Sequence, residues 1–115
     1  MAIQTANTTK LEQLPEAARD RIEQLRLLFI ERSRGHLTEI QQLLDERQTA
    51  SDPRTIDADL IKLAHSLVGA SGIFGFQELG DTAFKFETTL RKPGYHEADF
   101  TQVAGDLIDQ LTLLG

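Results

Sequence analysis

The segment Leu60-Ile-Lys-Leu-Ala-His-Ser-Leu-Val-Gly-Ala-Ser-Gly-Ile-Phe-Gly-Phe76 decides how this chain folds. Its apolar residues recur every three or four positions, which is the period of a helix face and not that of a strand. This apolar stripe consists of Leu60, Leu63, Leu67, Ala70 and Phe74. Because a helix with one such stripe buries it against other helices, the segment predicts a core helix of an all-helical domain.

His65 lies on the outer side of this predicted helix. A turn of about 100° per residue places it roughly 180° from Phe74 and on the same side as Gly69 and Gly72. Glycine costs roughly 1 kcal/mol relative to alanine inside a helix. Two glycines beside an outward histidine therefore suggest that a large partner must reach the imidazole, although Gly72 could instead serve helix packing. Gly75 is interpreted as the helix terminator in the left-handed conformation.

The same helical period recurs in three further segments. The first runs from Pro15 to about Thr49, as one continuous helix or as two with a bend near Ser33-Arg34-Gly35. The histidine helix covers about 54–74, and two more helices follow at about 77–91 and 97–114. In the three helices other than the histidine helix, the predicted core residues are Ala18, Ile22, Leu25, Phe29, Leu37, Ile40, Leu44, Leu79, Ala83, Phe86, Leu90, Phe100, Val103, Ala104, Leu107, Ile108 and Leu111.

Four helices with short connections predict an all-α, antiparallel up-down-up-down four-helix bundle. We expect the bundle to occupy residues 14–115 and to follow a mobile N-terminal tail over residues 1–13. His65 would be exposed on one helix of the bundle.

Composition excludes several classes of function. The 115 residues suit one domain, and the absence of cysteine excludes disulfides and thiolate metal sites. A formal net charge of −6 disfavours nucleic acid as a partner. Neither a signal segment nor an apolar run of about 20 residues is present, so we expect a cytoplasmic protein without a membrane partner. His36 and His96 lack the spacing of metal ligands, and no metal site is predicted.

An exposed imidazole can act as a nucleophile near neutral pH. The helix surface around His65 is small or apolar except for one lysine, and it resembles the centre of a protein-docking surface. Its members include Ile61, Lys62, Val68, Gly69, Gly72 and, where the helix extends that far, Phe76. Lys62 could offset negative charge on a group attached to His65. The alternative is that His65 and Lys62 are ordinary surface residues.

The spacing of His65, Gly69, Gly75 and Leu79 resembles the signature of histidine phosphotransfer (HPt) domains. Ser66 and the run Phe74-Gly75-Phe76 are similar to the phosphotransfer domain of chemotaxis-type histidine kinases. The resemblance extends over roughly residues 15–114.

This resemblance implies that His65 is a phosphoacceptor and that Gly69 keeps access to it open. The domain would be a phosphocarrier of a two-component phosphorelay, not a self-sufficient enzyme. Its partners would be response-regulator receiver domains, a sensor histidine kinase, or both. It would carry no cofactor of its own, and the receiver would supply Mg²⁺. We expect it to be a monomer.

One position departs from the family pattern. The family usually has a lysine three residues after the histidine, where this chain has Val68. Lys62, or Lys85 from the next helix, could supply the charge instead, or Val68 could join Ile61 in an apolar docking patch. The departure also leaves open a non-catalytic adaptor that docks receiver or kinase domains without phosphoryl transfer. A ligand-binding or metal-binding bundle is a third alternative.

Overall fold

The computed structural model describes residues 14–114, which form four helices and no strand. The helices are α1 (Glu16–Thr49), α2 (Pro53–Phe74), α3 (Gln77–Arg91) and α4 (Glu97–Leu114). The predicted all-α class and helix boundaries are confirmed, whereas the predicted tail over residues 1–13 lies outside the described part of the chain.

Each helix packs against two neighbours around the bundle: α1 contacts α2 and α4, and α3 contacts α2 and α4. The α1–α2 pair is antiparallel, because the ring of Phe29 lies 5.5 Å from that of Phe74 at one end while Arg47 contacts Asp57 at the other. Short connections between successive helices complete an up-down-up-down bundle.

The core takes apolar side chains from all four helices. Its buried members are Phe29, Ile40, Leu60, Leu63, Ala64, Leu67, Leu79, Ala83, Phe86, Leu90, Phe100, Val103, Ala104, Leu107 and Leu111. The predicted core residues of α3 are all buried, and in α4 Ile108 alone of the predicted set is partly exposed. In α2 the buried face is rotated slightly, so Ala64 and Ser71 are buried while Ala70 and Phe74 are half-buried.

Helix α1 runs without interruption through residues 33–35, so the structure selects the first of the two predicted alternatives, one continuous helix. Ser33 is buried and its Oγ donates a hydrogen bond of 2.8 Å to the carbonyl of Phe29, which satisfies the hydroxyl inside the helix. The 34 residues of α1 span about 51 Å, against about 33 Å for the 22 residues of α2.

The N-terminal turns of α1 therefore extend beyond the bundle core. Three predicted core residues there, Ala18, Ile22 and Leu25, are only partly buried. Leu27 and Leu28 of the same half are exposed. A sequence period identifies the apolar side of a helix, but the length of its neighbours decides how much of that side is covered.

A polar network joins three helices at the other end. The Nε of Arg47 lies 2.7 Å from a carboxylate oxygen of Asp57, and its Nη2 lies 2.9 Å from one of Glu97. The same guanidinium lies over the ring of Phe100, 4.2 Å from the ring centroid. The hydroxyl of Tyr95 accepts from Arg47 and donates to Asp57 at 2.6 Å. Burial lowers the pKa of Arg47, but its hydrogen bonds outweigh this effect and the net direction is upward.

Both ends of α2 are capped, which fixes the position of His65 in the middle of the helix. The side chain of Asp52 accepts a hydrogen bond of 3.1 Å from the backbone N–H of Arg54, and Pro53 occupies the first helical position. At the other end Gly75 has φ 81°, and its N–H bonds the carbonyl of Ser71. The predicted role of Gly75 as helix terminator is confirmed.

Among residues 14–114, no helix combines the length and the apolar character that a membrane crossing requires.

Candidate functional site

His65 points outward from the middle of α2, with 73% of its side chain exposed. Beneath it, Ala64 and Leu67 are buried in the core and hold this part of the helix in place. The imidazole is therefore open to a macromolecular partner while its backbone belongs to a rigid element.

The structure adds a residue that the sequence analysis missed. Glu87 of α3 places its carboxylate oxygens 3.2 and 3.3 Å from Nδ1 of His65. Only 9% of the Glu87 side chain is exposed, and Arg91 donates a hydrogen bond of 2.9 Å from Nε to the same carboxylate. A signal was present in the sequence, because Glu87 lies beside Phe86 and between Ala83 and Leu90, on the buried side of its helix.

This contact orients the imidazole chemically as well as spatially. An ionised carboxylate can only accept hydrogen bonds, so Nδ1 of a neutral His65 carries the proton that it donates to Glu87. The lone pair of Nε2 is then free for nucleophilic attack. A histidine held this way has one reactive nitrogen and a restricted ring orientation.

The glycines near His65 are not required for packing. A Cβ added at Gly69 or Gly72 would meet no atom within 4 Å, so both positions face open space. The contrast is Gly80 of α3, where an added Cβ would lie 3.3 Å from the Cβ of Ser71. Gly80 thus permits close approach of α2 and α3, whereas Gly69 and Gly72 leave the surface next to the imidazole uncovered.

An apolar groove lies on the C-terminal side of His65, along the seam between α2 and α3. Val68, Gly72 and Ile73 of α2 line it together with Phe84 of α3, and the projecting part of α1 contributes Ile22. The groove lining also includes three charged residues, Glu23, Arg26 and Asp81. Ile73 is 76% exposed and Phe84 is 55% exposed. Exposed large apolar side chains clustered in one groove are typical of a protein interaction site.

The remaining predicted site residues are distributed unevenly. Ile61 is half-buried and Lys62 is exposed, and both lie about one turn before His65 on α2. Lys85 is exposed, but it lies about 160° around α3 from Glu87, so the helix presents it away from His65.

Phe76 does not extend the histidine face, because α2 ends at Phe74. Its ring instead lies 5.4 Å from the ring of Phe29 and 4.9 Å from the guanidinium of Arg26. The structure thus assigns Phe76 to the contact between α1 and the α2–α3 turn.

Residues 14–114 contain no group of three or more histidine or acidic side chains arranged to hold a metal ion. His36 is half-buried within α1, and His96 is exposed just before α4.

Comparison with known families agrees with this geometry. The family model of the Hpt domain matches residues 24–114, which include His65, Glu87 and the whole of α2, α3 and α4. No curated protein and no solved structure gives a significant match to the chain. The match covers most of a four-helix bundle that exposes one oriented histidine, and the chain therefore belongs to the Hpt domain family, whose domains perform histidine phosphotransfer in two-component signalling.

Proposed function

We propose that this protein accepts a phosphoryl group on Nε2 of His65 and exchanges it with the aspartate of a response-regulator receiver domain. The observation that carries this proposal is the exposed imidazole whose Nδ1 contacts the buried carboxylate of Glu87 at 3.2 Å. One nitrogen contacts Glu87, and in this proposal Nε2 is the atom that the partner reaches.

The transfer step needs little from this chain. The lone pair of Nε2 attacks the phosphorus of a receiver aspartyl phosphate, so an N–P bond forms while the P–O bond to the aspartate breaks. The aspartate leaves as a carboxylate, and the proton on Nδ1 stays in its hydrogen bond to Glu87. Phosphoryl transfer has a loose transition state, so catalysis rests on positioning and charge compensation. In this proposal the receiver supplies Mg²⁺, and the chain itself contributes no cofactor.

The docking face comprises the residues around His65 on α2 and the neighbouring side chain of α3, namely Ile61, Lys62, Val68, Gly69, Gly72, Ile73 and Phe84. The apolar groove on one side of His65 provides contact area for the receiver. Lys62 on the other side provides a positive charge near the transferred group. Gly69 leaves room for the receiver to approach the imidazole, because nothing lies within 4 Å of its missing Cβ.

The partners in this proposal are receiver domains, a sensor histidine kinase, or both. The protein would act as a monomer, because the docking face must be free to accept one receiver at a time. It would meet these partners in the cytoplasm.

The test is phosphoryl transfer from a panel of phosphorylated receivers to the wild type and to His65→Gln. We expect acid-labile, base-stable label on the wild type and none on the variant. The chain has three histidines, so His36→Gln and His96→Gln are matched controls that should keep the label. Label that persists on His65→Gln would overturn the assignment.

Access to the imidazole can be tested separately at Gly69. Open space around this position predicts that Gly69→Ala and Gly69→Gln both fold. The long glutamine side chain lies one turn from His65 and should block phosphoryl acceptance, whereas alanine should permit it. Equal transfer rates in the two variants would contradict the access argument.

An adaptor that docks a receiver without phosphoryl transfer is the second candidate. Val68, at the position where the family usually has lysine, favours it by enlarging the apolar groove. This function predicts that a receiver binds wild type and His65→Gln equally well and that neither protein is ever labelled.

A further inference from the structure

One carboxylate oxygen of Glu87 contacts both His65 and Arg91. Oε2 of Glu87 lies 3.2 Å from Nδ1 of His65 and accepts a 2.9 Å hydrogen bond from Nε of Arg91, one turn later on α3. The arginine Nε is thus within about 6 Å of the imidazole nitrogen, the sum of these two distances. The Arg91 side chain is 57% exposed, so the guanidinium covers the solvent side of a carboxylate that is otherwise buried.

A carboxylate without this partner would oppose the reaction. Negative charge beside an imidazole stabilises the doubly protonated ring. The imidazolium has no lone pair on Nε2 and cannot attack phosphorus. A guanidinium on the same oxygen reduces the negative charge that the ring experiences, while the carboxylate still accepts the Nδ1 proton.

We propose that Arg91 is a positioning residue that acts on His65 through Glu87, keeping the ring neutral with Nε2 free. This inference rests on the proposed phosphocarrier function and extends it to a residue outside the histidine helix. It also offers a reason why Val68 can replace the usual lysine, because a cation reaches the phosphoacceptor from α3 instead.

The first experiment needs no partner. Nitrogen-15 NMR of the imidazole at pH 7 measures the imidazolium fraction and the tautomer of His65. Arg91→Gln should raise the ratio of imidazolium to neutral ring about threefold, as expected for loss of one charge about 6 Å away in a largely solvated setting. Arg91→Lys should stay nearer the wild type because it keeps the charge. Lys92→Gln is the matched control. It removes the neighbouring positive charge, whose side chain forms neither a hydrogen bond nor an ion pair with Glu87 in the described structure, and it should leave the ratio unchanged.

The second experiment separates an indirect role from direct contact with the phosphoryl group. Arg91→Gln should slow phosphoryl acceptance by less than about threefold in the wild-type background, in proportion to the neutral fraction that NMR measures. In a Glu87→Gln background the same substitution should have little further effect, because the ion pair that holds the arginine beside the imidazole is gone. A loss that persists there would mean that Arg91 contacts the partner directly, and it would overturn the proposal.

The two readouts also distinguish this inference from the proposed function. A wild type that takes no label from any receiver would reject the phosphocarrier function, and the NMR measurement would still decide the role of Arg91. An imidazolium fraction that is unchanged in Arg91→Gln, or raised equally in Lys92→Gln, would overturn the inference even if the wild type transfers phosphoryl groups.

Discussion

The two ends of the bundle are stabilised by different chemistry. At one end, the half-buried guanidinium of Arg47 contacts Asp57 and Tyr95 and joins α1 to α2 and to the start of α4. At the other end, the rings of Phe29, Phe74 and Phe76 pack together, and apolar side chains remain exposed nearby. Directional polar contacts fix how the helices are aligned, whereas an uncovered apolar surface remains available to a partner.

The largest expected effect is at the polar end. Asp57→Ala leaves the half-buried guanidinium of Arg47 without its nearest carboxylate, and we expect it to lower the free energy of unfolding by about 2 kcal/mol. Glu97→Gln is the control, because the Glu97 side chain is 67% exposed and its loss should cost less than about 1 kcal/mol. Urea denaturation followed by circular dichroism measures both. Equal losses in the two variants would mean that the network does not depend on the buried pair.

Tyr95→Phe should have the next largest effect. It removes the hydroxyl that donates to Asp57 and accepts from Arg47, and we expect a loss of about 1.5 kcal/mol in the free energy of unfolding, measured by urea denaturation. A loss below about 0.5 kcal/mol would show that Arg47 and Asp57 maintain this end without the hydroxyl.

The same residue predicts a pH dependence. Burial raises the pKa of Tyr95 above the ordinary value of 10.0, the hydrogen bond to Asp57 acts in the same direction, and the contact with Arg47 opposes both. A raised pKa in the folded state means that this contribution is fully present below pH 10 and is lost as the pH rises through the folded pKa. Tyr95 is the only tyrosine and there is no tryptophan, so ultraviolet absorbance reports its ionisation directly. A midpoint at or below 10 would contradict the prediction.

A smaller effect is expected at the apolar end. Phe84→Ser should change the free energy of unfolding by no more than about 0.5 kcal/mol, because the ring is 55% exposed. It should weaken binding to a receiver about tenfold, since the ring lies in the proposed docking face. Leu113→Ser is the matched control: Leu113 is 78% exposed on α4, which does not border the α2–α3 seam. Titration calorimetry with a receiver measures the difference, and equal binding by both variants would remove Phe84 from the docking face.

The smallest expected effect is at Gly72. Alanine there meets open space and favours the helix, so Gly72→Ala should raise the free energy of unfolding by about 0.5 to 1 kcal/mol. Gly75→Ala should have the opposite sign, because φ is 81° at that position. Thermal denaturation of Gly72→Ala and Gly75→Ala measures both changes. A Gly72→Ala variant that is less stable than the wild type would contradict the view that Gly72 faces open space and is not needed for packing.

Features that depend on local chemistry were predictable from the sequence. The period of apolar residues gave the four helices, and Asp52-Pro53 and Gly75 marked the ends of α2. The exposure of His65 followed from its position opposite the apolar stripe. Each of these depends on interactions within one turn or one helix.

Features that depend on the packing of two helices were missed. Glu87 is 22 residues from His65, and the contact exists only because α2 and α3 are antiparallel with one particular alignment. The Arg47–Glu97 contact joins residues 50 apart. Helix length caused the other discrepancy, because the apolar face of α1 continues past the end of α2 and is left uncovered there.

The projecting part of α1 also governs how the protein moves through solution. The molecule measures 60 × 26 × 19 Å, and its radius of gyration is 16.9 Å, against about 13 Å for a spherical domain of this length. Such a rod experiences more friction than a sphere of equal mass, so a single chain will elute early from a sizing column and resemble a larger species. Light scattering, which measures mass independently of shape, separates an elongated single chain from a larger species: 12.9 kDa from an early-eluting peak would identify the proposed monomer.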